Sequence, residues 1–167
     1  VVSPKTDDAQ RAFDQLRLQG VTVEALNTES IGDAELIVDA VLGTGLSRPA
    51  SSVFKAAIEA INASGSPVLA LDVPSGLDID TGWVDGVVVR ATVTVTFICL
   101  KSGLFTGTGP DFTGDIVIES LDIPDTVLAT IEPMAKSILP RTVQERLPVR
   151  RRTLHKGEAG HLLVVGG

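Results

Sequence analysis

The sequence specifies an α/β domain built on a mostly parallel sheet. Three observations carry this. Helical and strand-like patterns alternate along the first half of the chain. The strand-like runs are apolar on both faces, as in parallel strands covered by helices on each side. Two of them end in an acid followed by a glycine-containing loop. Open α/β sheets bind ligands at that end of their strands.

Each element has its own signal. Residues 7–19 read as an amphipathic helix: Ala9, Ala12, Phe13 and Leu16 recur at helical spacing, Asp7 and Asp8 open it, and Gly20 stops it. Residues 21–26 read as a strand. Leu36-Ile-Val-Asp-Ala-Val-Leu42 is a second strand. Residues 43–49 form a loop, and Ser51 or Ser52 caps a helix over 52–63 that turns Val53, Ala57, Ile58 and Ile61 to the sheet. Gly65 and Pro67 break that helix before a third strand, Val68-Leu-Ala-Leu-Asp-Val73. Beyond residue 84 the runs 87–89, 92–100 and 115–121 are strand-like and finish the sheet. Residues 124–139 give no clear pattern. Residues 140–153 read as a basic linker, and 154–167 end in a buried-type strand, Leu162-Leu-Val-Val165. Val1-Val2 reads as the end of a strand. The whole reads as a segment of a longer chain, with its sheet truncated on the N-terminal side.

Composition narrows the function classes. The net charge is −7, but residues 1–135 carry −12 and residues 136–167 carry +5. An acidic body lacks the basic footprint of nucleic-acid binding. Five Phe, one Trp and no Tyr make base stacking a poor expectation. No apolar run approaches a membrane span, and no signal peptide is evident. Cys99, the single cysteine, cannot form an intrachain disulfide, which fits a reducing, cytoplasmic setting. It is expected in the core.

Two acids invite chemistry. Asp39 and Asp72 each sit near the C-terminal end of a buried strand. An uncompensated buried carboxylate costs several kcal/mol, so each needs a cation, a donor cluster or a ligand. On neighbouring strands both would line one crevice. The alternative is that each bonds the amides of its own loop. Gly43-Thr-Gly45-Leu-Ser-Arg48 nearly matches the dinucleotide fingerprint, with Arg48 in place of the third glycine. Its amides and guanidinium suit a phosphate; a plain glycine turn is the alternative. Oxygens of Asp39, Ser75 and loop carbonyls suit a hard cation such as K+ or Mg2+. Ser75 lacks a nucleophile elbow and an evident His partner. Asp78, Asp80, Asp85 and Thr81 read as a solvated turn. Lys101, ending a strand, could neutralise the acidic crevice, but a snorkelling surface lysine is the favoured reading. His155 and His161 lack further ligands at zinc spacing.

Taken together, Asp39-Ala-Val-Leu-Gly-Thr-Gly-Leu-Ser-Arg-Pro49, Ala70-Leu-Asp-Val-Pro-Ser-Gly-Leu-Asp78 and Ala91-Thr-Val-Thr-Val-Thr-Phe97 with Lys101-Ser-Gly-Leu104 resemble the NAD(P)H-hydrate epimerases in order and spacing. The resemblance covers roughly residues 1–125, and the domain is read as 1–139. It implies a Rossmann-like three-layer αβα sandwich. It implies K+ (one potassium ion per subunit) on Asp39 and Ser75. It implies hydrated NADH or NADPH held by Gly43, Thr44, Gly45, Leu46, Ser47, Arg48, Pro49 and Asp72. Either Asp39 or Asp72 is then the catalytic acid–base group. Residues 152–167 resemble the opening of an ADP-dependent NAD(P)H-hydrate dehydratase domain, which would use ADP or ATP. The family's Asn-Asn-Gly-Gly-Asp loop has no counterpart in these residues, and Thr92 stands where the family usually has Asp. A homo-oligomer is compatible with this reading. The competing one is a noncatalytic Rossmann-like module that binds a nucleotide or a protein.

Overall fold

A computed structural model describes residues 6–28, 30–43, 52–147, 151–155, 157–158, 160–161 and 163–165. The chain divides into two compact units, Val1–Leu128 and Ala129–Gly167. The first ends before the expected boundary at residue 139.

Among the described residues, four strands form the sheet of the first unit: β1 (Ile37–Asp39), β2 (Val68–Leu71), β3 (Val93–Phe97) and β4 (Asp115–Glu119), in that spatial order. All three pairings are parallel. Register places Asp39 beside Ala70 and Leu71 beside Val95, so the C-terminal ends of β1, β2 and β3 stand next to one another. The expected α/β class and parallel sheet are what the chain forms.

The helices are α1 (Asp7–Leu18), α2 (Ser52–Ala63), α3 (Asp125–Leu128) and α4 (Pro140–Gln144). The Thr6 hydroxyl caps α1 by accepting the Ala9 N–H at 3.3 Å. Yet α1 buries none of its residues. Residues 21–26 likewise make no strand pairing among the described residues; Val21, Val23 and Leu26 are exposed. An alternating pattern becomes a strand only where another strand pairs with it, and among the described residues none does so here.

The core lies where α2 meets the sheet. Ile58 and Ile61 pack with Val68 and Val89, flanked by Ile31, Ile37, Val41, Leu42 and Val87. Burying each such side chain stabilises by about 1.5–3 kcal/mol. Val53, expected on this face, is exposed. The possible caps Ser51 and Ser52 lie outside the residues whose side chains are described. A second cluster gathers Val73, Leu77, Val88 and Leu104 from the loops after β2 and β3.

Residues 87–89 form no strand. Their backbone is satisfied otherwise: Val89 N–H donates to Ser75 O at 2.9 Å, and Asn62 Nδ2 donates to Val88 O at 2.8 Å. Asn62 Oδ1 also accepts the Arg90 N–H at 2.8 Å. One amide side chain on α2 thus replaces a strand neighbour. Thr92 plays a comparable part at the N-terminal edge, its hydroxyl accepting the Val68 N–H at 3.0 Å as β2 begins.

In the second unit, α4 makes a short helix inside the expected linker. Among its described residues, 154–165 show no strand, and Leu163, Val164 and Val165 are exposed.

Candidate functional site

Asp39, the last residue of β1, is fully buried. Three donors compensate it. Its Oδ2 accepts the Ser75 N–H at 2.8 Å, and its Oδ1 accepts the Ser75 hydroxyl at 2.6 Å and the Val41 N–H at 3.2 Å. Bonds to a carboxylate are stronger than neutral ones, which makes this burial tolerable. The Ser75 Oγ also accepts the Leu42 N–H at 2.8 Å and lies 3.1 Å from the Leu42 carbonyl oxygen. Ser75 therefore ties the loop after β1 to the loop after β2.

That serine is held by a tight turn. Leu77 N–H donates to Pro74 O at 3.1 Å, and Gly76, the third residue, has φ +98. This is the conformation of a type II β-turn, which favours glycine there. A Cβ on Gly76 would also lie 2.1 Å from Val87 O. The Asp-Val-Pro-Ser-Gly motif is thus a device for presenting the Ser75 N–H and hydroxyl to Asp39.

Asp72 follows β2 directly and has φ +70, in the left-handed region. Its N–H donates to Val95 O at 2.7 Å. Its carboxylate makes an ion pair with Lys101. Oδ1 also accepts the Phe97 N–H at 3.1 Å and the Thr96 hydroxyl at 3.3 Å. Lys101 Nζ donates further to Thr96 Oγ1 at 3.0 Å and Phe97 O at 2.8 Å. The lysine side chain is 15% exposed and that of Asp72 is 23% exposed. The favoured reading of Lys101 as a surface lysine is therefore corrected. Five residues of chain bring its ammonium back over the end of β3, where a carboxylate, a hydroxyl and a carbonyl take its three protons.

A second strained residue shapes that return. Ile98 has φ +69, and Cys99 N–H donates to Phe97 O at 2.7 Å across it. This is a γ-turn of the rare positive-φ kind, costly for a β-branched residue. It leaves Cys99 exposed rather than in the core. Strained residues close β2 and β3 side by side, at the sheet edge where ligands bind in open α/β folds.

Burial pushes the Asp72 carboxyl up, but the Lys101 hydrogen bond and charge, the Phe97 N–H and the Thr96 hydroxyl outweigh it and hold the group below the usual carboxylate range. A depressed folded value means that the contribution to stability is present above the unfolded value, about 3.9, and is lost as pH falls through the folded one. Wild type should therefore exceed Asp72→Asn in stability at pH 7, with the gap closing as pH drops below about 4. Urea melts of both proteins across that range test this; a gap independent of pH would remove the ion pair as its cause.

Asp39 and Asp72 stand at the ends of adjacent strands, but each has its own donors. Asp39 and Ser75 are brought together. Of the expected nucleotide loop, Gly43 is described and exposed; Thr44, Gly45, Leu46, Ser47, Arg48 and Pro49 lie outside the described residues. Asp78 caps its own turn, accepting from the Thr81 hydroxyl at 2.7 Å, the Thr81 N–H at 2.8 Å and the Asp80 N–H at 3.1 Å. This is the solvated turn the sequence suggested. Sequence reasoning missed Thr96. The alternation Thr92-Val-Thr-Val-Thr96 was its signal: Thr94 and Thr96 point inward and are fully buried.

Among the described residues, no three His, Cys, Asp or Glu side chains gather as metal ligands. A cation here would need mixed oxygen ligands instead. The oxygens gathered at Asp39 fit a hard monovalent cation in kind: a carboxylate, a hydroxyl and the adjacent Leu42 carbonyl.

A parallel α/β sheet with polar groups at its C-terminal strand ends defines a Rossmann-like α/β domain. Residues 2–103 match the family described as YjeF-related protein N-terminus, and the chain belongs to it. The Bifunctional NAD(P)H-hydrate repair enzyme Nnr of Coxiella burnetii is 42% identical over 133 residues, 80% of this chain and 27% of that protein. Its namesake in Escherichia coli is 37% identical over 164 residues, 98% of this chain and 32% of that protein. The Bifunctional NAD(P)H-hydrate repair enzyme of Leishmania infantum is 41% identical over 140 residues, 81% and 25% of the two lengths. The chain thus spans about a quarter to a third of these relatives. The crystal structure of the yeast protein YNL200c shares the fold, with a TM-score of 0.63 at 22% identity over 81% of this chain and 59% of that one. No helix among the described residues is long and apolar enough to cross a membrane.

Proposed function

We propose that this chain is the epimerase segment of a NAD(P)H-hydrate repair enzyme, interconverting the R and S forms of hydrated NADH and NADPH. The single observation that supports it most is the C-terminal strand edge of a family domain carrying a partly exposed, ion-paired Asp72 beside a buried Asp39–Ser75 pair. Relatives of this family named as repair enzymes favour catalysis over a noncatalytic module.

Inverting a ring carbon that bears a hydroxyl requires one of its bonds to break and re-form on the other face. As the bond to the ring nitrogen opens, the hydroxyl gives up its proton and becomes a carbonyl while the nitrogen takes one, and closure reverses both transfers. A side chain within hydrogen-bond reach must do this. Asp72 can reach a substrate; Asp39 is fully buried. We therefore assign the proton to Asp72. Asp39 instead fixes the Ser75 turn and, with the Ser75 hydroxyl, would hold K+, one ion per subunit, whose positive charge would balance an anionic nucleotide nearby. The loop 43–49 would take the nucleotide phosphates. The companion dehydratase activity, with ADP or ATP, belongs to a separate domain that residues 154–167 would open. A cytoplasmic location and a homo-oligomer complete the reading.

The test is direct. The full-length protein, given the resolved R hydrate of NADPH, should produce the S form, followed by chromatography. Replacing K+ by tetramethylammonium should weaken hydrate binding in wild type, and Ser75→Ala should lose that cation dependence. Equal K+ dependence in both proteins would remove Ser75 from the ion site.

A further inference from the structure

Among the described residues, every hydrogen bond to the Asp72 carboxylate ends on one oxygen. Lys101 Nζ, the Phe97 N–H and the Thr96 hydroxyl all reach Oδ1. Among the described residues, no bond is made to Oδ2. No buried side-chain oxygen there lacks a partner either, so Oδ2 keeps some exposure to solvent. The two oxygens of one carboxylate are therefore unequal.

Thr96 is the hinge of this asymmetry. It is fully buried in β3. Its hydroxyl has one proton and two lone pairs. The proton goes to Asp72 Oδ1 at 3.3 Å, and a lone pair accepts from Lys101 Nζ at 3.0 Å. It therefore links ammonium to carboxylate and fixes the rotation of both. The strained backbone adds to this: Asp72 at φ +70 and Ile98 at φ +69 bring the carboxylate and the Phe97 carbonyl onto the same lysine.

We infer that Thr96 is a positioning residue for the reaction, working with Lys101 to hold Oδ1 so that Oδ2 alone exchanges the proton with substrate. This rests on the assignment of Asp72 as the proton-transfer group. Thr96 touches no substrate. It acts through the aspartate, and a carboxylate free to rotate spends less time in a reactive geometry. The loss should therefore appear in kcat and leave binding alone.

The experiment compares Thr96→Val, Thr96→Ser and Asp72→Asn in the full-length protein with hydrated NADPH. Thr96→Val keeps the shape and removes the hydroxyl. It should lower kcat by about 10–100-fold, with KM within about twofold of wild type. Thr96→Ser restores the hydroxyl and should return to within about threefold of wild type. Wild-type kcat in Thr96→Val, beside an inactive Asp72→Asn, overturns the inference and leaves the function standing. A Thr96→Ser variant as slow as Thr96→Val also overturns it, because bulk and not the hydroxyl would then matter. Wild-type rates in Asp72→Asn sink the assignment of Asp72 and this inference with it. Should Thr96→Val fail a thermal melt, Thr96→Ser against Thr96→Cys decides, the thiol being similar in size and a weak donor.

Discussion

Asp72→Asn in the full-length protein should slow epimerisation of hydrated NADPH by about 10²–10⁴-fold, the range that general acid–base catalysis contributes. Asn is the right replacement for physical reasons. Residue 72 has φ +70, a conformation that Asn and Asp adopt more readily than most non-glycine residues. Ala there would add backbone strain and blur the outcome. Asn also keeps the planar shape and an oxygen for the Phe97 N–H and the Thr96 hydroxyl, which now bond Oδ1. What it removes is the charge and the ability to carry a proton. The Lys101 ammonium keeps Thr96 Oγ1 and Phe97 O as acceptors, so it is not stranded. The protein should fold, bind the hydrate with a similar KM, and turn it over slowly. Unchanged kcat would return proton transfer to another group. A raised KM with normal kcat would make Asp72 a binding residue only.

The parts of this site legible from sequence are those that residue type alone announces. An acid inside Leu-Ile-Val-Asp-Ala-Val-Leu must be compensated wherever it is buried, and Ser75 inside Val-Pro-Ser-Gly is a natural donor. The structure joins them at 2.6 Å. The sheet was legible for a similar reason, since doubly apolar runs between helices have few other homes. The Asp72–Lys101–Thr96 arrangement was not. It depends on positive φ at Asp72 and at Ile98, and a β-branched residue is the last one expected to adopt it. Without that turn Lys101 would run off into solvent, as its place after a strand suggests. The threonines of β3 were not read as site residues. Alternation Thr-Val-Thr-Val-Thr puts every hydroxyl on one face of the strand, and on that face Thr94 and Thr96 are buried. The hydroxyls face inward because each has a partner there: Thr113 O for Thr94 at 2.6 Å, and Asp72 for Thr96. Residues 21–26 failed in the opposite direction. Their pattern was right for a strand, but a ladder needs a second strand as well as a pattern.

Gly76→Ala should be strongly destabilising, costing about 3–5 kcal/mol in a urea melt. Two penalties coincide at this position. A left-handed backbone costs a non-glycine residue about 1–2 kcal/mol. Gly76 has φ +98, and its added Cβ would lie 2.1 Å from Val87 O. That oxygen belongs to a backbone with little room to give, because the neighbouring Val88 and Val89 are buried in the two core clusters. The turn must therefore move, and Ser75 moves with it. Two of the three donors that compensate buried Asp39 come from Ser75, so the strain spreads from a turn to a buried carboxylate. Gly65→Ala is the control. Gly65 also has positive φ, +75, but nothing lies within 4 Å of its added Cβ. It should cost only the backbone penalty, about 1–2 kcal/mol. If the two variants lose equal stability, close approach at Val87 contributes nothing, and the Ser75 turn is not held from behind. If Gly76→Ala loses much more, together with any K+ dependence of hydrate binding, then the glycine acts on the ion site through the serine it positions.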